Sequence, residues 1–298
     1  MIEKDDAVST VIALMLVLGI IVTLIAIYSA TYLPGLKQQS EIEHSREVAD
    51  AFARFDSHIY YAVSHKTNGI RFSEPFSLGG GDVLLSPVRS SGSVTIEKEP
   101  PLVNVTVTNQ TGSVMTGNAS LVNVSYVPSF TTWEPQGYLW EYGFVAVTKD
   151  NVTVPQPSRY NTILEARADS GEFLRFFVVL TLTTGSDIEI TVVNLTRKED
   201  GFFITGSGRV TLGVNATVSE SYLGEVETIV FENCTVGDGD KVSEMMGKHL
   251  EKLCDSTNSD TYVYVPGTLS SPPRHTLTFS TTPPKVTLRT VNVEVGVW

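Results

Sequence analysis

The sequence predicts an α+β fold: a long N-terminal hydrophobic helix forms the stem of a lollipop, and an antiparallel, β-sandwich-like head with one short helix follows it. Three observations predict this fold. A run of 27 uncharged residues extends from Ala7 to Leu33. An apolar stripe with helical spacing comes next. From Asn68 onwards, apolar and polar residues alternate with a period of two, as they do in half-buried strands.

The uncharged run is long enough to cross a membrane. At about 1.5 Å per residue it forms a helix of about 40 Å, whereas a hydrocarbon core is about 30 Å thick. A secretory signal peptide, cut between Ser29 and Ala30, is the alternative, although its apolar region would span only about 7–15 residues. We expect residues 66–298 to lie outside the cell, because they contain 25 acids, 17 bases and many glycosylation sequons.

The segment KDDAVSTVIA (residues 4–13) combines a short charged leader with the first residues of the apolar run. It resembles the amino-terminal segment of archaeal type IV pilin-like proteins. The resemblance implies that a membrane prepilin peptidase cuts between Asp6 and Ala7. It also implies that pilus assembly machinery then brings identical subunits together, with their hydrophobic helices in the core of an extracellular filament. A structural role in adhesion or surface contact follows from the same resemblance.

These observations divide the chain into three parts. Residues 1–6 form the leader, residues 7–65 the membrane or filament-core helix with its amphipathic extension, and residues 66–298 the extracellular β-rich head. Prolines near Pro155 allow a subdivision of the head. Pro34-Gly35 predicts a kink or break where the helix leaves the membrane. The amphipathic extension carries one apolar stripe, formed by Ile42, Val48, Phe52, Phe55, Ile59 and Val63.

The head is expected to consist mainly of short strands. Alternation predicts them over Ser93–Lys98, Leu102–Thr108, Leu121–Val127, Ile188–Val193, Val210–Val214 and Val286–Val297, and more continuous apolar runs predict deeper strands within Tyr138–Val147 and Phe173–Thr183. Asp240 can cap a short helix over Lys241–Leu253, which Cys234 and Cys254 bracket. Outside the cell a disulfide between these cysteines would contribute roughly 3 kcal/mol, and two buried free thiols are the alternative.

Repeated Asn-x-Ser/Thr is the strongest motif outside the apolar run. Eight of the twelve asparagines belong to such sequons: Asn104, Asn109, Asn118, Asn123, Asn151, Asn194, Asn215 and Asn233. On an exported chain this motif predicts N-linked glycosylation of surface residues. Strand alternation alone also favours the spacing, because residues two apart point to the same face of a sheet.

The composition argues against several classes of function. The net charge of −12 is unsuited to a nucleic-acid partner, and two cysteines exclude a disulfide scaffold and zinc-finger spacing. The chain contains no GxSxG, HExxH, GxxxxGK[ST] or CxxC motif, so we expect no enzyme, metal or cofactor other than N-linked glycans. His44, His58 and His65 are too far apart on one helix to share an ion, and Asp238 with Asp240 lacks the full EF-hand pattern.

Two other functions remain open from the sequence. The chain could be a membrane-anchored surface glycoprotein that does not polymerise, since small residues such as Ala13 and Gly19 occur in any membrane helix. It could also be an anchored β-rich enzyme or carbohydrate-binding protein. Filaments would favour the pilin-like interpretation, whereas an apolar pocket with converging acids would favour the enzyme.

Overall fold

The computed structural model describes residues 3–80, 83, 88–141, 144–149, 152–156, 178–182, 187–233, 244, 246–248, 250–251, 262–265, 274–279 and 283–298. One long N-terminal helix leads into a mostly antiparallel, β-rich head containing three sheets. This architecture is consistent with the predicted α+β class.

The N-terminal helix is continuous from Glu3 to His65. It consists of α1 (Glu3–Ile27), a π-helical turn (Tyr28–Tyr32) and α2 (Leu33–His65). A break at Pro34-Gly35 is wrong, because both residues lie inside α2, and the alternative of a kink stays a prediction. Pro34 has no N–H to donate, and the π turn just before it lets the Leu33 N–H reach the Tyr28 carbonyl five residues back.

Sixteen strands are described in the head. They are β1 (Ile70–Ser77), β2 (Ser91–Lys98), β3 (Val103–Asn109), β4 (Val114–Ala119), β5 (Val122–Ser129), β6 (Gly137–Glu141), β7 (Phe144–Lys149), β8 (Val152–Gln156), β9 (Val178–Leu182), β10 (Asp187–Arg197), β11 (Phe203–Gly206), β12 (Arg209–Leu223), β13 (Val226–Asn233), β14 (Tyr262–Val265), β15 (Arg274–Phe279) and β16 (Lys285–Val297). Each of the six segments predicted by alternation overlaps one of these strands.

The strands form three sheets. Sheet 1 has the order β1-β12-β16-β10-β9, sheet 2 the order β11-β2-β5-β6-β7-β8, and sheet 3 the order β14-β15-β13-β3-β4. The described pairs are antiparallel except β10 with β16, which run parallel from Asp187↔Lys285 to Arg197↔Val295. This pair corrects the purely antiparallel prediction. Alternation reports which face of a strand is buried and carries no information about the direction of its neighbour.

Inward-facing side chains of all three sheets join those of α2 in one hydrophobic cluster. Along β3 the valines at 103, 105 and 107 are buried, and the residues between them are half-buried, as alternation requires. Sheet 1 lies against both other sheets, and Gly117 of β4 faces Leu288 of β16 so closely that a Cβ there would be 3.2 Å from Cδ2. The core therefore extends from the helix across the head.

The short helix predicted over Lys241–Leu253 is described in part. Residues 244, 246–248 and 250–251 are helical, and Met246 and Leu250 are buried, as the predicted apolar face requires. Cys234 and Cys254 lie outside the described residues, so the disulfide stays a prediction.

Candidate functional site: the exposed apolar helix and its junction with the head

The apolar segment, which we define as Thr10–Ile27, projects from the head with every side chain exposed. Leu14 and Met15, for example, are 70% and 67% exposed. This is the one helix among the described residues whose length and composition allow it to cross a membrane. Thr23 satisfies its hydroxyl within the helix by donating to the Gly19 carbonyl at 2.7 Å, so this polar side chain fits an apolar surrounding.

The apolar segment ends at the aromatic π turn. Tyr28 and Tyr32 stack with ring centroids 6.4 Å apart, and Tyr32 is exposed. Tyrosines favour the boundary between hydrocarbon and water, because their rings are apolar and their hydroxyls are polar. Leu33 is the first helical residue buried against the head. The transition from exposed to packed helix therefore occurs within a few residues of Pro34.

Glu41 of α2 binds two loops of the head. Its side chain is fully buried. Oε1 accepts hydrogen bonds from the Ser90 hydroxyl (2.5 Å) and from the N–H and hydroxyl of Thr131 (2.7 and 2.9 Å). Oε2 accepts the N–H groups of Thr132 (2.9 Å) and Trp133 (2.7 Å). Five donors thus surround one carboxylate beyond the apolar segment.

Lys37 adds a second contact between α2 and the same loops. It lies one turn before Glu41 and donates from Nζ to the Val88 carbonyl (2.7 Å) and the Thr131 hydroxyl (3.4 Å). We call Lys37, Glu41, Ser90 and residues 131–133 the clasp. Burial raises the pKa of Glu41, but hydrogen bonds from Ser90, Thr131 and Trp133 outweigh it and bring the pKa below its usual range. Glu41 is therefore ionised in the clasp at neutral pH.

A second polar layer follows one turn along α2. The hydroxyl of Tyr126 donates to the Leu78 carbonyl at 2.8 Å, so its oxygen accepts the Nε2–H of His44 at 3.0 Å. Burial is the main cause that lowers the pKa of His44. Ser45 exchanges a hydrogen bond with the Tyr138 hydroxyl at 3.1 Å. These side chains connect the helix to β5 and β6 of sheet 2.

The remaining turns of α2 form the predicted apolar contact. Phe52 packs edge-on against Phe76 of β1 (centroids 6.2 Å apart), and Phe55 packs against Trp140 of β6 (5.6 Å). Val48, Phe52, Phe55 and Ile59 of the predicted stripe are fully buried, whereas Ile42 and Val63 are half-buried. The helix is therefore anchored to sheets 1 and 2.

Two acids accompany this apolar layer. Asp56 accepts the Trp140 indole N–H at 2.7 Å, and burial raises its pKa to about 6 although this hydrogen bond lowers it. Glu74 is buried and pairs with the half-exposed Arg54 through Nε (2.7 Å) and Nη2 (2.6 Å). Asp56 therefore binds a proton more readily than an exposed aspartate does.

The histidines of α2 contribute to packing. His58 stacks on Phe72 with centroids 4.4 Å apart, and His65 stacks on Tyr61 at 3.7 Å. Within the described part of the chain, no group of three or more His, Cys, Asp or Glu residues is placed to hold a metal ion.

The leader junction and the sequons are placed as follows. Asp6 and Ala7 lie inside α1, and their cleavage stays a prediction. Asn104, Asn109, Asn123, Asn194 and Asn215 are half-buried on strands, Asn118 is exposed, Asn233 ends β13, and Asn151 lies outside the described residues.

Comparison with known protein families, curated proteins and solved structures finds no match for this chain.

Sequence reasoning missed the clasp. Lys37, Glu41, His44 and Ser45 share the helix face that continues into Val48 and Phe52. The sequence does contain a signal for the clasp, because these polar residues lie on the same helix face as the apolar stripe and therefore face the head. The loops that bind them lie far away in the sequence, so their partners could not be inferred from spacing.

Proposed function

We propose that this chain is the structural subunit of an extracellular, archaeal type IV pilus-like filament that assembles through its N-terminal helix. The observation that carries the proposal is the apolar segment: 18 consecutive side chains are exposed to solvent on a helix that continues into a folded head. Such a surface is unstable in water and must be covered by lipid or by other helices. Residues 4–13 resemble the start of a pilin, and this resemblance favours a helix that is covered by lipid before assembly and by identical subunits afterwards.

The role we propose is non-enzymatic. The helix would be inserted in the membrane, processed between Asp6 and Ala7, and extracted by assembly machinery, leaving the head facing water in an adhesive or contact-forming filament. The clasp supports this proposal because it connects the apolar segment to the head through charged hydrogen bonds, which are strong and directional. We also infer that the head is sandwich-like, since sheet 1 lies against sheets 2 and 3.

A membrane-anchored glycoprotein that does not polymerise is the second candidate. The stacked Tyr28 and Tyr32 at the end of the apolar segment favour it, because such a belt suits a permanent membrane boundary. Both candidates require the apolar segment. They differ in whether membrane lipid or the helices of other subunits cover it in the mature protein.

Electron microscopy of cells producing Gly19→Glu or Gly35→Glu distinguishes them. Both glycines are exposed, and an added Cβ meets nothing within 4 Å at either position, so there is room on the surface for a side chain to begin. Gly19 lies in the apolar segment, where a charge costs a few kcal/mol, and Gly35 lies beyond it. We expect filaments, labelled by an antibody against the head, in the wild type and Gly35→Glu and none in Gly19→Glu.

Two results would contradict the proposal. An absence of labelled filaments from wild-type cells, with the protein retained in membranes, would favour the anchored alternative. Filaments formed by a chain that begins at Lys37 would exclude the apolar segment as the assembling element.

A further inference from the structure

The described sequons differ in how the fold holds their amide nitrogens. Asn123 donates Nδ2 to Glu99 Oε1 at 2.5 Å, and Asn194 donates Nδ2 to Asn292 Oδ1 at 2.8 Å. Both asparagines are half-buried, and the backbone of Asn194 is paired on one side with Asn292 of β16 and bridged on the other to Ser120. Attachment of a sugar replaces one of the two Nδ2 hydrogens, so a bulky substituent would have to fit beside this hydrogen bond on a half-buried part of the sheet.

Asn109 is held in a different way. It is the last residue of β3 and begins the turn to β4. The turn residues from Gln110 to Ser113 are all exposed. Its Oδ1 accepts the Thr111 N–H (3.1 Å), the Thr111 hydroxyl (2.9 Å) and the Ser113 N–H (2.7 Å). These three hydrogen bonds all end on the amide oxygen, and none of them uses Nδ2. The asparagine and hydroxyl of the sequon are therefore already together on an exposed turn.

Asn118 lies on the second strand of the same hairpin. It is exposed on β4, and its neighbours Gly117 and Ala119 are buried, so its side chain is on the outer face of sheet 3. Its pairing partner across the hairpin is Asn104 of β3. The outer face at this position carries little bulk, because Thr106 and Thr116 form the next pair.

We infer that Asn109 and Asn118 carry N-linked glycans, and that Asn123 and Asn194 stay unmodified. Among the described residues, the β3–β4 hairpin is then a glycan-bearing element of the head. This inference rests on the surface location in the proposed function, since a chain inside the cell would not meet the glycosyl donor. It does not depend on polymerisation.

The modification is a glycosyl transfer from a lipid-linked sugar phosphate. The Asn Nδ2 forms a bond to the anomeric carbon and loses one proton. The bond between that carbon and the phosphate oxygen breaks, and the phosphate leaves with its lipid. Access to Nδ2 is therefore the property that decides between the sequons.

Site-resolved glycopeptide mass spectrometry of the full chain, isolated from its own cells, tests the inference. We expect glycan-bearing peptides for Asn109 and Asn118, and the unmodified peptide alone for Asn123 and Asn194. A second measurement compares the intact masses of variants. Asn109→Gln and Asn118→Gln should each lose one glycan mass, whereas Asn123→Gln and Asn194→Gln should change only by the substitution.

The inference is overturned if Asn123 or Asn194 carries a glycan, or if Asn109 or Asn118 is bare. A chain bare at every sequon that still forms filaments would overturn the glycan assignment and leave the proposed function intact. A chain that carries glycans at Asn109 and Asn118 but forms no filaments would overturn the proposed function and leave the glycan assignment intact.

Discussion

Replacing Glu41 with glutamine tests whether the clasp holds the helix on the head. Glutamine has nearly the same shape, but it replaces one acceptor oxygen with an NH₂ donor. In the clasp, Oε1 faces three donors and Oε2 faces two. Whichever position the NH₂ group takes, it therefore meets at least two donors and leaves them without an acceptor.

The expected cost follows from these hydrogen bonds. Two unsatisfied buried donors at about 1–3 kcal/mol each would cost about 2–6 kcal/mol. Because the donors on residues 131–133 are part-buried, we expect the lower part of this range, about 2–3 kcal/mol, for Glu41→Gln. Glu43→Gln is the matched control, because Glu43 is exposed two residues further along α2, and its change should stay within about 0.5 kcal/mol.

The assay is urea unfolding of the full chain in detergent micelles, followed by tryptophan fluorescence, since Trp133 belongs to the clasp. The pH dependence adds a second readout. The folded-state pKa of Glu41 lies below its unfolded value, so its contribution is fully present above the unfolded pKa and is lost as pH falls through the folded pKa. The wild type should therefore lose more stability on acidification than Glu41→Gln does. Equal unfolding free energies for wild type and Glu41→Gln at neutral pH would refute this account of the clasp.

Three further predictions concern the junction and the leader. Asp56→Asn should raise the unfolding free energy at pH 7.5 by about 2–3 kcal/mol. Burial raises the pKa of Asp56 from 3.8 to about 6, so the wild type loses stability as pH rises through that window. A lower unfolding free energy for the variant would contradict this. Gly79→Ala should lower the free energy of urea unfolding by about 1–3 kcal/mol, because its Cβ would be 2.0 Å from the Ser90 carbonyl oxygen. The control Gly224→Ala has nothing within 4 Å of its Cβ and should lower that free energy by less than about 0.5 kcal/mol. Equal losses would show that the Ser90 loop moves away at no cost. Mass spectrometry of the mature protein should find Ala7 as the first residue, and an intact Met1 would count against processing at Asp6-Ala7.

The local elements could be predicted from the sequence. The helix, the six alternating strands and the buried face at Val48, Phe52, Phe55 and Ile59 follow from periodicity, because that signal is contained within each segment. The break at Pro34 could not be judged from the proline alone, since a π turn ends two residues earlier and the helix continues through the proline.

The junction could not be predicted, because its partners come from distant parts of the chain. Glu41 meets Ser90 49 residues later and Thr131 90 residues later. The parallel pairing of β10 with β16 likewise joins segments almost 100 residues apart. A polar residue on an apolar stripe indicates that some partner exists, but its identity depends on the tertiary fold.

Helical reconstruction of native filaments by electron cryomicroscopy would show which part of the subunit forms the filament core. We expect a filament whose axis is lined by the helix from Ala7 to Leu33 of every subunit, with the heads outside and the clasp at the boundary. A filament whose core is built from the β heads, with the apolar segment absent or still embedded in lipid, would contradict it.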